Sequence, residues 1–568
     1  MHPSLDQFKE LWAADFEFIA RSGERQIPVC LSARELRSGR QILLWHDQFG
    51  PEPPFDVSSD SLFIAYYASA ELGCFRTLGW PQPKRILDLC VEFKNATNGV
   101  PVSNGKGLIG ALVFHGLDSI DAAEKTEMRD LVLRGGPWTT EEKKAILEYC
   151  QTDTDALARL LPRMIGRIDL PRAMLRGRYM SAVSAMEYNG VPIDTEILAR
   201  LVSNWEDIQE KLIVEVDAEY GVYDGRSFRL ERFEDWLCFN NMGWPRLDSG
   251  RLALDDDTFE EMANIYPQVV NLRKLRQALS ELRLNDLQVG EDGYNRTMLS
   301  AFAARTGRNQ PSNTKYIFGP GSWLRSLIKP KEGSAIAYID WCQQEFGIAA
   351  ALSGDPNMKE AYASGDPYLT FAKQAKAVPA DATKDSHTEK RELFKRCVLG
   401  VQYGMEGESL ARRIQQPEFV ARDLLRMHRE VYKVFWRWSD NTVDKTVLDR
   451  RQQTVFGWTN HVRPDFNARS LRNFFMQANG AEMLRLACCY GTEDDILVCA
   501  PVHDALMITA PVERIEEEVA RMREHMRRAS EIVLEGFPLS TDAVIVKHPN
   551  RYSDKRGKDF WSKIMNLL

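Results

Sequence analysis

Residues 335–345 read Ala-Ile-Ala-Tyr-Ile-Asp-Trp-Cys-Gln-Gln-Glu, in which an apolar run ends at the carboxylate of Asp340. A second carboxylate, Asp504, follows Val-His within residues 496–510, whose apolar pattern predicts a β-hairpin. We expect the first run, 335–340, to be a strand as well. Two carboxylates this far apart in sequence meet only in a folded domain, where such a pair can hold two divalent cations about 3.5–4 Å apart.

Between the two aspartates, residues 391–404 read Arg-Glu-Leu-Phe-Lys-Arg-Cys-Val-Leu-Gly-Val-Gln-Tyr-Gly and predict a helix. A spacing of four places four side chains on one ridge of that helix, namely Arg391, Lys395, Leu399 and Tyr403. Two cations on one ridge suit a triphosphate, whose leaving pyrophosphate gains charge during transfer. In isolation such a ridge is an ordinary amphipathic helix, and its place between the two aspartates favours the functional interpretation.

In chain order, three segments resemble motifs A, B and C of the family A DNA polymerases, the DNA polymerase I type. Residues 340–345 are similar to motif A, Asp-Tyr-Ser-Gln-Ile-Glu, and residues 391–404 to motif B, Arg-x-x-x-Lys-x-x-x-Phe-Gly-x-x-Tyr-Gly. His503 and Asp504 are similar to the first two residues of motif C, His-Asp-Glu. The sequence departs from the family at Leu399, where Phe or Tyr is usual, and at Ala505, where Glu is usual.

The resemblance implies template-directed DNA synthesis from dNTPs, with two Mg²⁺ ions per active site and Mn²⁺ as an alternative. Asp340 and Asp504 would bind these ions and be the catalytic residues. Glu345 would pack against the sugar, leave no room for a 2′-hydroxyl and so select deoxynucleotides. Contacts to the incoming nucleotide are implied for Arg391, Lys395, Leu399, Tyr403, Glu345 and His503.

Three further segments resemble parts of the same family that lie near primer–template DNA. Arg305-Thr-Gly-Arg308 is similar to a loop that grips the primer–template, and residues 469–477 are similar to an Arg-x-x-x-Asn-x-x-x-Gln helix. Residues 186–194 resemble the strand that opens the polymerase domain. DNA contacts are therefore implied for Arg305, Thr306, Arg308, Arg469, Asn473 and Gln477.

A separate set of carboxylates lies near the N-terminus. Asp15 and Glu17 flank Phe16 on a predicted strand, where alternation puts both carboxylates on one face. Tyr149 and Asp153 share a face of a predicted helix at 141–161. Acids grouped in this way need a cation between them, and a phenol beside a metal-bound carboxylate can orient an attacking water.

These residues resemble the first and third motifs of the DnaQ-like 3′→5′ exonuclease domain attached to family A polymerases. Glu71 would take the role of the aspartate in the middle motif, with Tyr67 at its Asn position, and Asp88 is the second choice for that ligand. The resemblance implies that Asp15, Glu17, Glu71 and Asp153 bind metal, and that Tyr149 acts with them in catalysis. An inactive remnant of such a domain is the alternative.

The expected fold is multidomain α/β and α+β, because 568 residues exceed what one hydrophobic core supports. We expect an RNase H-like (DnaQ-like) exonuclease domain at 1–165 and a right-hand polymerase domain at 166–568, with a boundary where Pro162 ends a helix. Within the second domain the predicted parts are a thumb (about 196–300), fingers (about 351–464) and a palm. The palm is expected at about 171–195, 301–350 and 465–568. Long helices are predicted at 198–220 and 257–284.

The net charge of −8 argues weakly against nucleic acid, but basic residues outnumber acidic ones between 273 and 331, just ahead of Asp340. Ten cysteines without a CxxC pair predict reduced thiols in a cytoplasmic protein, or in the host cytoplasm if a phage encodes it. No export signal and no membrane-spanning run are expected. We predict a monomer that binds primer–template DNA and dNTPs, and its compact size favours a phage or prophage replicase.

Three other functions share parts of this sequence pattern. A single-subunit RNA polymerase shares the palm and fingers, but Glu345 and the predicted exonuclease speak against it. An exonuclease whose C-terminal part only binds DNA would not need Asp340 and Asp504 together with Arg391 and Lys395. A non-catalytic replication scaffold would have no reason to keep clustered acids.

Overall fold

The structure is a computed structural model, and it describes residues 2–118, 122–247, 249–280, 284–402 and 404–568. Tyr403, one of the predicted nucleotide contacts, lies outside the described residues. Within these ranges no helix has both the length and the apolar character that crossing a bilayer requires.

The N-terminal domain is built on one mixed sheet. Its strands are β1 (Glu10–Ile19), β2 (Ile27–Glu35), β3 (Gln41–Trp45), β4 (Ser61–Ala65) and β5 (Ile86–Asp88). They are ordered β3-β2-β1-β4-β5, with β1, β4 and β5 parallel to one another and β2 antiparallel to both its neighbours. The helices are α1 (Ser69–Leu78), α2 (Leu89–Ala96), α3 (Leu108–Phe114), α4 (Ala122–Arg134) and α5 (Thr140–Met164). Helix α5 packs on β1 and β2, so its side chains meet those of the central strand.

The prediction that Pro162 ends the last helix of this domain is wrong by one half-turn. Helix α5 begins at a capping box, in which Thr139 and Glu142 bond each other's backbone N–H, and it continues through Pro162 to Met164. A proline in the last turn removes only one hydrogen bond. The apolar side chains of Leu161 and Met164 are buried, and their packing holds that turn together.

The chain then forms a connecting helix and a mostly helical subdomain. The elements are α6 (Leu170–Asn189), β6 (Val191–Pro192), α7 (Thr195–Ser203), α8 (Trp205–Asp217), β7 (Tyr223–Asp224), β8 (Ser227–Phe228), α9 (Leu230–Phe239), α10 (Asp256–Ile265), α11 (Val270–Ser280) and β9 (Tyr294–Asn295). The helix predicted at 198–220 is interrupted at Asn204, and the one at 257–284 is interrupted where Pro267 starts a 3₁₀ turn. Of the strand expected at 186–194, residues 186–189 are instead the end of α6, which stops at Gly190 in a positive-φ conformation, and Val191–Pro192 form the strand β6.

The remaining chain contains a second sheet and two groups of helices. First come β10 (Ser334–Trp341), α12 (Gln344–Ser353), α13 (Pro356–Ala363), α14 (Pro367–Gln374), α15 (Thr388–Gln402), α16 (Gly407–Ile414), α17 (Glu418–Val431) and α18 (Lys433–Asp449). Then follow β11 (Arg451–Gln453), β12 (Thr459–His461), α19 (Ala468–Glu493), β13 (Leu497–Val502), β14 (Ala505–Pro511), α20 (Ile515–Val533), β15 (Thr541–Lys547) and α21 (Lys558–Leu567). The sheet is antiparallel in the order β13-β14-β10-β15. The predicted strand at 335–340 and the hairpin at 496–510 are both confirmed by these elements.

Candidate active sites

Two aspartates predicted to converge lie side by side at one end of the second sheet. The antiparallel register places Asp340, near the end of β10, opposite Ala505, the first residue of β14. Asp504 precedes Ala505 in the two-residue turn between β13 and β14, and the Trp341 N–H donates to its backbone oxygen at 3.3 Å. The sheet hydrogen bonds therefore bring two carboxylates from distant segments to one place.

The electrostatics of this pair favour a bound cation. Burial, followed by the charges of Asp504 and Asp542, raises the pKa of Asp340 to about 7. Burial also raises the pKa of Asp504, against the opposing effect of the Arg308 and His503 charges. The Oδ1 atom of Asp340 is buried and has no hydrogen-bond partner. A buried carboxylate oxygen without a partner is costly, and a divalent cation is the group that would satisfy it.

A third carboxylate, which the sequence analysis missed, lies on the other side of Asp340. Strand β15 pairs with β10 so that Asp542 lies directly opposite Asp340 on the neighbouring strand. On the other side of Asp340, the paired residue is Ala505 of β14, which is fully buried. Residues directly opposite in an antiparallel pair have Cβ atoms about 4.5–5.5 Å apart. Asp340 therefore has an acid neighbour on β15, although the usual motif C glutamate is absent.

Side chains from the turn at 305–308 and from α12 lie near the pair, and His503 precedes Asp504 in the turn between β13 and β14. The chain turns from β10 into α12 through Gln343, whose φ of 43° is in the left-handed region, and this turn places Glu345 in the first turn of α12. The Arg308 Nη2 atom lies 3.9 Å from Glu345 Oε1. Burial and the Arg308 charge lower the pKa of His503. Arg308 and His503 therefore lie close enough to Asp504 for their charges to lower its pKa, and Glu345 lies beside Arg308.

The cationic ridge predicted at 391–403 is confirmed as a helix, α15, over its described part. Arg391 donates from Nε to Asp366 Oδ2 and from Nη1 to Glu392 Oε1, both at 2.5 Å. Lys395 Nζ lies 3.8 Å from another oxygen of Glu392. Leu399, one turn further on, is half-buried. Both cations are paired with acids in this conformation, so a bound triphosphate would have to replace those acids.

The predicted DNA contacts lie in and beside one open cavity of about 500 Å³. It lies between β12, the start of α19 and the turn at 305–308, and four of its lining residues are Arg305, Thr306, Asn473 and Gln477. Arg469 is not among the lining residues and packs instead against Gly404. Gly404 has a φ of 71°, and a Cβ there would come within 2.8 Å of the Arg469 side chain. The end of the motif B segment therefore touches the start of α19.

The N-terminal acids also come together. Asp15 and Glu17 lie on one face of β1, and Asp153 reaches them from α5. One carboxylate oxygen from each of the three lies within 4.8 Å of the other two, a spacing that suits a metal ion. Burial, followed for Asp15 by the charge of Asp153, raises the pKa values of Asp15 and Glu17 well above the ordinary range. The three acids, of which Asp153 is buried and Asp15 and Glu17 are partly buried, form a set of ligands that could hold a cation.

Of the two candidates for the fourth ligand, Glu71 fits the cluster better than Asp88. Glu71 is buried on α1, its Oε2 accepts a hydrogen bond from the Phe16 N–H at 2.7 Å, and burial and the charge of Asp15 raise its pKa. Asp88 caps α2 and accepts hydrogen bonds from the backbone N–H groups of Tyr67, Ala68 and Val91. Both carboxylate oxygens of Asp88 therefore already accept hydrogen bonds from backbone N–H groups.

Two further side chains complete this region. Lys125, from α4, lies with its Nζ 2.7 Å from Asp153 Oδ2 and 5.7 Å from the centre of the Tyr149 ring. No motif had pointed to Lys125, because α4 carries no regular apolar pattern. Tyr149 is buried beside the cluster, and burial followed by the charge of Asp153 raises its pKa. Tyr67, expected at the Asn position of the middle motif, instead accepts a hydrogen bond at its hydroxyl from the Ala301 N–H.

Comparison with known proteins agrees with this arrangement. DNA polymerase I of Aquifex aeolicus is 24% identical over 443 residues, covering 71% of this chain and 75% of the relative. The thermostable DNA polymerase I of Thermus aquaticus is 26% identical over 446 residues, or 72% of this chain and half of the relative. The fold is similar, with a TM-score of 0.74 at 17% identity over 94% of each chain, to a solved POL domain of Pol1 from M. smegmatis in complex with DNA primer-template and dNTP. The profile of DNA polymerase family A matches residues 235–548, more than half of the sequence. The chain belongs to DNA polymerase family A.

Proposed function

We propose that this protein extends a DNA primer on a DNA template by two-metal nucleotidyl transfer at Asp340 and Asp504. The observation that carries the proposal is the convergence of these two carboxylates at the end of the second sheet, with an unpartnered buried oxygen on Asp340. Bound divalent cations would lower the pKa of the primer 3′-hydroxyl and hold the triphosphate. Mg²⁺ is the expected ion, since oxygen ligands and phosphates are its usual partners.

The roles of the surrounding side chains follow from their positions. Arg391 would break its ion pair with Asp366, and Lys395 its ion pair with Glu392. Both cations would then neutralise the departing pyrophosphate. Glu345, in the first turn of α12, is proposed to meet the 2′ position of the bound sugar.

The residues around the 500 Å³ cavity are proposed to hold the DNA. Arg305 and Arg308 contact the primer–template backbone. Asn473 and Gln477, one turn apart on α19, contact the DNA bases. Arg469 and Thr306 complete this surface. Tyr403, which lies outside the described residues, is proposed to stack beside the new base pair.

We further propose a 3′→5′ exonuclease at the N-terminal acids. The close approach of one oxygen each from Asp15, Glu17 and Asp153 supports it, and Glu71 is the fourth acid. Lys125 pairs with Asp153 and would compete with the metal for that carboxylate, and the Tyr149 hydroxyl would orient the attacking water. A primer terminus removed at this site would be a misincorporated one, so the second activity would proofread the first.

The remaining expectations from the sequence are retained as proposals. We expect a monomer that acts in the cytoplasm and is encoded by a phage or prophage. Light scattering of the purified protein tests the first expectation. The genes next to the coding sequence test the last, since replication genes of a phage support it and ordinary chromosomal repair genes contradict it.

A labelled primer on a DNA template with Mg²⁺ tests both activities. With dNTPs we expect extension by the wild type and by Asp15→Asn, and none by Asp340→Asn. Without dNTPs we expect shortening from the 3′ end by the wild type and by Asp340→Asn, and none by Asp15→Asn. Because each variant is the matched control for the other, extension by Asp340→Asn contradicts the polymerase site, and shortening by Asp15→Asn contradicts the exonuclease site.

A further inference from the structure

The segment that leads into the turn at 305–308 is held by the N-terminal domain. The Lys94 Nζ atom on α2 donates to the carbonyl oxygen of Ala301 at 3.0 Å, and the Ala301 N–H donates to the Tyr67 hydroxyl at 3.2 Å. The Lys94 ammonium also lies 4.9 Å from the centre of the Tyr67 ring. Side chains of the N-terminal domain therefore form hydrogen bonds with both the N–H and the carbonyl oxygen of Ala301.

Asn98, just after α2, makes a second and tighter connection. Its Nδ2 donates to the carbonyl oxygens of Arg305 and Thr459, both at 2.7 Å, and its own carbonyl oxygen accepts from the His461 N–H at 2.9 Å. The side chain is 4% exposed, so these bonds form away from water. A single amide joins the N-terminal domain, the turn at 305–308 and β12.

The backbone next to Asn98 is shaped for this contact. Gly99 has a φ of 83°, and a Cβ there would lie 2.1 Å from the carbonyl oxygen of His461. No other residue type could bring the chain so close to β12 in this conformation. Asn95 adds a bond from the same side, accepting from the Thr459 N–H at 2.7 Å. Asn95, Asn98 and Gly99 together therefore allow the N-terminal domain to contact β12 closely.

The turn is also held by its own backbone hydrogen bonds, from the Gly307 N–H to the Ala304 oxygen at 2.8 Å and from the Ala304 N–H to the Arg308 oxygen at 3.1 Å. The Trp458 Nε1–H donates to the same Arg305 oxygen at 3.0 Å, and Arg485 Nη1 donates to the Gly307 oxygen at 2.8 Å. Gly307 lies in the left-handed region at φ 75°. Asn98, Trp458 and Arg485 therefore hold the backbone that carries Arg305, which is exposed, and Arg308, which is partly buried.

We propose that Asn98 is a positioning residue for primer–template binding, through which the N-terminal domain sets the turn at 305–308 that grips DNA. The inference rests on the proposed function, since it assumes that Arg305 and Arg308 contact primer–template. The domain that carries the exonuclease acids would thereby support the polymerase site by a role separate from nuclease chemistry. Residues 298, 300 and 303 of the same segment line the cavity beside Asp15 and Asp153, so this segment borders both sites.

The test compares Asn98→Ala with Asn104→Ala, an exposed asparagine of the same domain. We measure the dissociation constant for primer–template, the KM for the complementary dNTP, and exonuclease cleavage of single-stranded DNA. Loss of two buried hydrogen bonds predicts about a tenfold weaker affinity for primer–template in Asn98→Ala. The dNTP KM and the single-strand cleavage rate should stay within about twofold of wild type, and Asn104→Ala should match wild type in all three.

Two additional variants separate the possible outcomes. Arg308→Ala tests the underlying DNA site: if it leaves primer–template affinity unchanged, the proposed function fails at this surface. If Arg308→Ala weakens binding but Asn98→Ala does not, only the present inference is overturned. Should Asn98→Ala not fold, Asn95→Ala removes the neighbouring bond to the Thr459 N–H and weakens the same contact with Asn98 retained, and unchanged primer–template affinity in that variant equally overturns the inference. An equal loss of single-strand cleavage would indicate general damage and also contradict a positioning role.

Discussion

Replacing Asp340 with Asn should abolish DNA synthesis and at the same time stabilise the metal-free protein at pH 8. Asp340 has a pKa of about 7 because burial and the charges of Asp504 and Asp542 disfavour its ionised form. Its buried Oδ1 has no hydrogen-bond partner, so the substitution breaks no hydrogen bond to that atom. An amide of the same shape removes the charge that the fold tolerates only with a cation present.

The size of the effect follows from the pKa. A rise from the ordinary 3.8 to about 7 corresponds to about 4 kcal/mol of lost unfolding free energy when the carboxyl is fully ionised. Water reaches part of this side chain and screens its charge, so we take roughly half, about 2 kcal/mol. The pKa of Asp340 is higher in the folded protein than in the unfolded protein. The loss of unfolding free energy is therefore absent below pH 3.8, grows between pH 3.8 and about pH 7, and is complete above about pH 7.

The assay is urea unfolding in EDTA at pH 8 and pH 5, with the exposed Asp385 changed to Asn as the control. For Asp340→Asn we expect a gain of about 2 kcal/mol at pH 8 and less than about 1 kcal/mol at pH 5. Asp385→Asn should leave the unfolding free energy unchanged at both pH values. A loss of stability in Asp340→Asn at pH 8, or an equal gain at both pH values, would refute the reasoning.

Three further substitutions test other parts of the structure. Glu345→Ala should raise ribonucleotide incorporation relative to deoxynucleotide incorporation, measured as the ratio of kcat/KM values; an unchanged ratio contradicts the role as a steric gate. Lys125→Met removes the ammonium 2.7 Å from Asp153, so half-maximal exonuclease activity should need severalfold less Mg²⁺, and a higher requirement would show that Lys125 assists instead of competing. Glu92→Gln leaves Arg176 buried without its charge partner, now 2.6 Å away, and should cost about 3–5 kcal/mol in urea unfolding. A cost below about 1 kcal/mol would mean that water reaches Arg176.

Much of the central geometry could be predicted from local patterns. An apolar run ending in a carboxylate placed Asp340 on a strand, and a hairpin pattern placed Asp504 in a turn. Strand alternation likewise put Asp15 and Glu17 on one face, whereas only the resemblance to the exonuclease domain joined Asp153 of α5 to them. The strand, turn and helix placements could be predicted because each depends only on residues that are neighbours along the chain.

Contacts set by tertiary packing were not predicted. Asp542 meets Asp340 only through the register of β15, and Lys125 reaches Asp153 only through the packing of α4. The bonds of Asn98 join segments more than 200 residues apart in the chain. Helix α5 continues past Pro162 because burial of its last turn outweighs one lost hydrogen bond, a balance that local propensity does not contain.

Single-nucleotide incorporation under single-turnover conditions tests whether Asp340 and Asp504 carry out templated DNA synthesis. Four primer–templates that differ only in the template base are each offered the four dNTPs, with wild type and Asp504→Asn compared. We expect wild type to add the complementary nucleotide in each case. Asp504→Asn should bind the same DNA within about twofold yet react about a thousandfold more slowly. Incorporation that ignores the template base, or an Asp504→Asn rate close to wild type, would show that these aspartates do not carry out templated synthesis.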